Sequence, residues 1–284
     1  MTPTAPTGAP PDEAGPITRP IHVSGPAGPW HPVREGLALR GNAVVHTTWG
    51  EWLPAAVTDP ALRPLLGRDW QRYRNTTDPT IRYRFVASRL AVKFTAAAAL
   101  GTEPAELDLA YRIGGRPYLR GFGQIDVSLT HTDDLIAVGI SRHGRIGVDA
   151  EPADRPMSFD LLRRHMCTPA ERAELAPLPE AEQAAALLRL WTLKEAYTKA
   201  LGQGLRLGFT EFGFAAGSPA LLAPDGSSAA RGEWAFATYR ALGRYLISVA
   251  CHDTGLDTAA DTEVRTMLDA GFMGAVAEAL AADT

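Results

Sequence analysis

The sequence predicts an α+β protein of two similar, pseudo-symmetric lobes, each a small antiparallel sheet with a long helix, and a site at the lobe interface. Two observations carry this. The chain reads strand, helix and strands up to a divide near Gly144, then strands, helix and strands again. Two acidic residues on a strand and a capped helix lie just beyond that divide, where a cleft between lobes would open. The halves share no residue-level repeat, so the likeness is one of architecture. The expected divisions are a Pro/Gly-rich tail over 1–29, an N-terminal lobe over 30–144, a C-terminal lobe with the charged motifs over 145–258 and a terminal helix over 259–284. At 284 residues the chain exceeds the common domain size of about 100–150 and has ample material for a core.

Each element has its own signal. Residues 1–29 hold eight prolines and four glycines, too few apolar groups to offset the entropy of ordering. Ala43–Gly50 reads as a strand and Leu62–Arg74 as a short helix. Ile81–Leu100 is a helix, with Pro79 near its start, Gly101 after its end and alanine and leucine through its second half. Leu107–Ile113 suits a strand, and Gly114-Gly115-Arg116-Pro117 a turn. Ile125–Leu129, Leu135–Ser141 and Ile146–Ala150 are short apolar or alternating runs. Thr130–Asp134 reads as a polar loop between the first two, and Arg142-His143-Gly144 as a tight connection between the last two. Helices follow over Phe159–His165 and over Pro169–Leu175, the latter with Thr168 and Glu171 as a capping box. Glu180–Leu201 is a long helix stopped by Gly202 and Gly204. Strands are expected over Glu211–Ala215, Trp234–Arg240 and Tyr245–Cys251, and an amphipathic helix over Asp261–Ala281.

Composition narrows the function. The net charge of −4 argues against bulk nucleic-acid binding. No run approaches the ~18 apolar residues of a membrane span. Cys167 and Cys251 are far apart and lack metal-ligand spacing, which suits reduced thiols. The expectation is a soluble, cytoplasmic protein.

The chemistry concentrates in two segments. On a strand, Asp149 and Glu151 project to one face roughly 6.5–7 Å apart, able to grip one cation. On a helix, Glu195 and Lys199 share a face at i,i+4 spacing, continuing a stripe that includes Leu188 and Trp191. A hard cation such as Mg2+ takes one or two carboxylates plus phosphate oxygens and water. Three acids with Lys194 and Lys199 therefore suit a magnesium-bound diphosphate. Each feature has a plainer explanation: a solvated acidic strand face, an ordinary surface ion pair, a structural histidine at His131. Thr130, His131 and Arg116 nevertheless sit where hydroxyl, imidazole and guanidinium donors can meet phosphate oxygens. Arg82, Arg89 and Lys93 share a helix face and read as a solvated basic stripe. The chain has no Gly-x4-Gly-Lys-Ser/Thr loop, no His-Glu-x-x-His and no Gly-x-Ser-x-Gly elbow.

The succession Gly-Arg-Pro (115–117), Ser-Leu-Thr-His-Thr (128–132), Ile-Gly-Val-Asp-Ala-Glu (146–151), Met166-Cys-Thr-Pro-Ala-Glu171 and Trp191-Thr-Leu-Lys-Glu-Ala-Tyr-Thr-Lys199 resembles the surfactin-synthetase-activating type of phosphopantetheinyl transferase. The resemblance runs over about residues 40–250. It implies transfer of the phosphopantetheine arm of coenzyme A to a serine of an acyl or peptidyl carrier protein, releasing adenosine 3′,5′-bisphosphate, in polyketide, nonribosomal peptide or fatty acid synthesis. By that resemblance Asp149, Glu151 and Glu195 hold Mg2+, Glu195 takes or positions a base for the serine proton, and Lys199 neutralises the departing phosphate. Arg112, Arg116, Pro117, Thr130, His131 and Lys194 bind coenzyme A. The family commonly has lysine where this chain has Arg116, and serine or asparagine choices where it has Ser128 and Thr130. Leu205, Arg206, Phe209, Phe212 and Phe214 are candidates for docking the carrier, or else core residues. A monomer is expected. Two alternatives stand beside this reading: another magnesium-dependent transferase with a nucleotide diphosphate donor, and a non-catalytic carrier-binding or coenzyme A-sensing protein of the same fold.

Overall fold

In the computed structural model, which describes residues 15–203, 206–215, 217, 219–230 and 232–252, the first lobe is assembled around one long helix. It comprises β1 (Ile21–His22), α1 (His31–Arg40), β2 (Asn42–Thr48), α2 (Leu53–Thr58), α3 (Leu62–Leu66), α4 (Trp70–Asn75), α5 (Pro79–Leu100), β3 (Leu109–Tyr111), β4 (Pro117–Leu119), β5 (Asp126–Thr132) and β6 (Leu135–Ser141). α5 begins where the Asp78 carboxylate accepts the Ile81 N–H at 2.8 Å and ends at Gly101, which adopts the left-handed φ of 69°. Its buried face, including Val86, Leu90 and Val92, joins Val45, Val127 and Val138 of the sheet in one core. The sheet has the order β1-β2-β6-β5, with β1 parallel to β2 and the other pairs antiparallel. β6 is buried along its whole length, which is why it reads as a continuous apolar run rather than an alternation.

The second lobe repeats the plan: β7 (Ile146–Pro152), α6 (Phe159–Met166), α7 (Pro169–Leu175), α8 (Glu180–Leu201), β8 (Gly213–Phe214), β9 (Leu221–Leu222), β10 (Trp234–Ala241) and β11 (Tyr245–His252). Its antiparallel sheet has the order β10-β11-β7, and α8 lies against it. At Gly147 the approach of β7 to α8 is so close that a Cβ would stand 1.9 Å from the Ala196 carbonyl oxygen and 2.6 Å from the Ala200 nitrogen. Only a residue with no side chain fits there.

The two sheets meet edge to edge without a backbone ladder. β5 presents Asp126, Ser128 and Thr130, alternate residues on one face, to β7. Asp126 accepts the Ile146 N–H at 2.8 Å and Ser128 Oγ accepts the Val148 N–H at 3.0 Å. Side chains of β5 thus satisfy two open N–H groups on the edge of β7.

Several expectations are revised. Residues 15–29, assigned to the tail, are folded onto the first lobe. Thr18 N–H donates to Asn42 Oδ1 at 3.0 Å, Ile17 and Val23 are buried, and β1 adds a strand beside β2. Averaging over a Pro/Gly-rich segment hid its apolar anchors. Thr130, His131 and Thr132 belong to strand β5 rather than to a loop, and the hairpin to β6 turns at Asp133, whose φ is 47°. The link over Arg142–Gly144 crosses between sheets, since β7 pairs with β11 and not with β6. The helix expected over Leu62–Arg74 is broken at Gly67 into α3 and α4. The supposed solvated basic stripe is enclosed: Lys93 is 3% exposed and donates to the Leu65 carbonyl at 2.7 Å, while Arg89 pairs with Asp69 at 3.5 Å. Cys167 and Cys251 are buried and free. No helix among the described residues is long and apolar enough to cross a membrane. Residues 1–14 and the segment over which a terminal helix was expected lie outside the described residues.

Replacing Gly147 by alanine forces β7 and α8 apart. We expect a loss of about 3 kcal/mol, at the upper end of the range for overpacking, read as a lower urea midpoint at unchanged slope.

Candidate functional site

β7 and α8 bring the site together. Because Gly147 seats β7 against the Ala196–Ala200 turn, Asp149, two residues along the strand, lies opposite the last turn of the helix. There Lys199 Nζ contacts Asp149 Oδ1 at 2.7 Å. Thr130 Oγ1 completes the group, donating to Asp149 Oδ1 at 3.2 Å and accepting from Lys199 at 3.1 Å. Strands from both lobes and one helix therefore supply a single cluster.

The second oxygen of Asp149 is buried and lacks any hydrogen-bond partner. Such an atom is costly to leave open and invites a donor or a cation. Glu195, one helical turn before Lys199, has its pKa raised, first by burial and then by Asp149, with Glu151 adding to the effect beyond the opposing pull of Lys199. Glu151 is also raised, mainly by burial, although Arg155 and a hydrogen bond from Trp191 act against this. The three acids expected to share one ion feel one another's charge, but they do not form a ready-made ligand group. Among the described residues no three His, Cys, Asp or Glu side chains are so arranged. Asp149 Oδ1 faces Lys199 and Glu151 Oε1 faces Arg155. The fit to magnesium rests instead on the open Asp149 oxygen and on mutual repulsion among the carboxylates, both of which a hard cation relieves.

Arg116 is tied into the lobe junction. Its guanidinium pairs with Asp126 and donates to the carbonyls of Ile146, at 2.8 Å, and Lys199. These partners anchor the Gly114–Pro117 turn to the ends of β7 and α8, and they occupy donors that the sequence had suggested for phosphate. Arg116, Pro117, Ser128 and Lys199 line one cavity of about 600 Å³ together with Ile113, Gly202, Gln203 and Arg206. Arg112 stands outside that lining, its guanidinium 5.6 Å from the Tyr118 ring. His131 has its pKa lowered by burial and by the nearby cations Arg89, Lys199 and Arg84, so the neutral imidazole is favoured in a positive surround. Arg84 was missed by sequence reasoning. It lies five residues before Arg89, off the helix stripe that drew attention.

Lys194 does not join this site. Its side chain is fully buried on another face of α8, pairing with Glu171 at 2.7 Å and donating to the carbonyls of Met166, Phe209 and Phe212 at 2.6–2.9 Å. Glu171 also closes the capping box of α7 and accepts the Phe214 N–H at 2.9 Å. Residues five apart on a helix point about 140° apart, so the helix that sends Lys199 to the cleft sends Lys194 to the core. Phe212 and Phe214 are buried in that same core, which removes them from any docking surface. Phe209 packs on Trp191 and Phe212, and Leu205 lies outside the described residues.

Two measurements separate these roles. Lys194→Ala strands a buried Glu171 and should cost about 3–5 kcal/mol in urea unfolding, whereas Lys199→Ala, at a partly exposed pair, should cost about 1 kcal/mol or less. Burial and like charges raise Glu195 in the folded state, so its contribution to stability is complete below the ordinary carboxylate pKa and is lost as pH rises through the raised value. In chelator-containing buffer Glu195→Gln should therefore match the parent at acid pH and melt higher than it near pH 8.

Residues 145–250, which contain Asp149, Glu151, Glu195 and Lys199, match the family model described as the 4'-phosphopantetheinyl transferase superfamily. Arg112, Arg116, Thr130 and His131 lie outside the matched residues. The chain is 30% identical over 130 residues to the 4'-phosphopantetheinyl transferase HetI of Nostoc, covering 45% of this chain and 55% of that protein. It is 29% identical over 177 residues to a phosphopantetheinyl transferase of Thraustochytrium, covering 57% and 62%. With a 4'-phosphopantetheinyl transferase of Bacillus subtilis it shares 25% identity over 130 residues, covering 46% and 57%. The chain thus spans between 55% and 62% of the length of these relatives. The likeness to 4'-phosphopantetheinyl transferases thus rests on residues 145–250, which carry Asp149, Glu151, Glu195 and Lys199, and on relatives that match about half of this chain.

Proposed function

We propose that the protein is an enzyme that transfers the 4'-phosphopantetheine arm of coenzyme A to a serine hydroxyl of an acyl or peptidyl carrier protein. The observation that carries this is the Asp149–Lys199 pair held between β7 and α8, with Glu195 one turn away and one Asp149 oxygen open, all inside the segment matched to the superfamily. The order of the Gly-Arg-Pro, Ser-Leu-Thr-His-Thr and Trp-Thr-Leu-Lys-Glu motifs further favours the surfactin-synthetase-activating type.

In this reading the diphosphate lies against Lys199 and Thr130, beside the 600 Å³ cavity under the Gly114–Pro117 turn. The serine oxygen forms a bond to the phosphorus that carries pantetheine. The bond from that phosphorus to the bridging oxygen breaks, and adenosine 3',5'-bisphosphate leaves with the electron pair. Glu195 accepts the serine proton. Lys199 neutralises charge on the departing phosphate, the kind of positioning and electrostatic work on which phosphoryl transfer depends. Magnesium held by Asp149 and Glu195, with Glu151, would neutralise the diphosphate and fix its orientation. Arg116 keeps the turn and the ends of β7 and α8 in register. We further infer a monomer acting in the cytoplasm on carriers of polyketide, nonribosomal peptide or fatty acid synthesis.

Incubation with coenzyme A, Mg2+ and an apo carrier, followed by intact-mass measurement, should show the carrier gain one phosphopantetheine. Asp149→Ala and Glu195→Gln should each slow this at least about 100-fold while carrier binding survives. An unmodified carrier that still binds would select the non-catalytic alternative, and undiminished transfer by Asp149→Ala would remove its assigned role.

A further inference from the structure

Glu151, like Asp149, is already held by a cation of the protein itself. Its Oε1 pairs with Arg155, four residues on, and Trp191 donates a side-chain hydrogen bond to the same carboxylate. The Arg155 guanidinium lies 5.2 Å from the centre of the Trp191 ring, so arginine, indole and carboxylate form a closed triangle. Glu151 is largely enclosed, with its side chain 17% exposed against 38% for Arg155. An ion pair that is half enclosed and braced by an aromatic face is stronger than a surface pair.

From this we propose that Arg155 and Trp191 form a latch on Glu151, an internal competitor that a divalent cation must displace before all three acids can serve it. The inference rests on the reading of Asp149, Glu151 and Glu195 as magnesium ligands. It explains why Asp149, Glu151 and Glu195, although close enough for Asp149 to act electrostatically on both glutamates, do not form a ligand group. Arg155 has somewhere to go: it borders a cavity of about 750 Å³ lined by Pro156, Met157, Leu161, Ala184 and Leu188, with Trp191 at its edge. On release the guanidinium can swing into that space while its methylene stem stays on the indole. Arg155 is thus a positioning residue that sets how tightly the site holds its metal. It is not a group that touches the reacting atoms.

The test is Mn2+ titration, followed by the EPR signal of the free ion with coenzyme A present, on the parent, Arg155→Met and Arg155→Lys, all verified as folded by thermal melts. Mn2+ shares the oxygen preference and octahedral geometry of Mg2+. Methionine keeps the apolar stem and removes the competitor, so Arg155→Met should bind about 10-fold tighter, within the span that groups around a metal's ligands typically command. Arg155→Lys, with the charge but not the flat stacking face, should fall between. A residue that merely packs would leave affinity unchanged or weaken it, and that result with a parent that binds Mn2+ overturns the latch alone. If neither parent nor variant binds Mn2+, the latch and the magnesium reading fall together, while the carrier-mass assay decides transfer separately.

Discussion

The contact between Gly147 and the Ala196–Ala200 turn of α8 is the constraint from which the site follows. A strand normally stands off a helix by the depth of two side chains, about 10 Å between layers. Here one side of the contact has no side chain at all, and the backbone of β7 reaches the backbone of α8. Asp149 is two residues beyond the contact and Lys199 one turn beyond Ala196, so the short approach makes their 2.7 Å pair geometrically available. A wider layer spacing would leave the aspartate and the lysine to solvent, where such a pair contributes little.

The second constraint is the division of charge around α8. Lys194 and Lys199 carry the same group on the same helix, yet their surroundings make them different objects. Lys194 is locked by Glu171 and by carbonyls from the segments that wrap the helix, a polar strut inside the second lobe. Its partner Glu171 is also the capping residue of α7, so one carboxylate starts a helix, pins a lysine and receives the N–H of Phe214. With that strut holding α8 in rotation, Glu195 and Lys199 are presented to the cleft. Their environment is partly open, and its unsatisfied features, the lone Asp149 oxygen and the raised glutamates, are of the kind that cluster where ligands bind.

Much of the secondary structure was legible in local chemistry. α5, α7 and α8 carry their own boundaries in Asp78 and Gly101, in the Thr168–Glu171 box, and in Gly202. These signals act within one or two turns and do not depend on distant parts of the chain. β1 and α1 escaped notice because their support is remote: Asn42 satisfies Thr18, and β2 offers the edge on which β1 lies. β5 was cut short because Thr130 and Thr132 look like loop residues. Their hydroxyls in fact continue the polar alternation begun by Asp126 and Ser128, whose purpose appears only when β7 is beside them.

The sequence by itself determined the inventory of this site and the local elements that carry it: two acids at strand spacing, an acid and a lysine at helix spacing, and the glycine that lets strand and helix touch. Spacing along one element is set by bond geometry and needs no tertiary information. Which of the two lysines of α8 faces the cleft, that Arg116 clamps the lobe junction instead of standing free, and that Arg155 holds Glu151 were decided by tertiary structure. Those outcomes depend on which charges and open backbone groups come within about 3 Å across elements, and electrostatic and hydrogen-bonding energies change too steeply at that range for a linear sequence to reveal them.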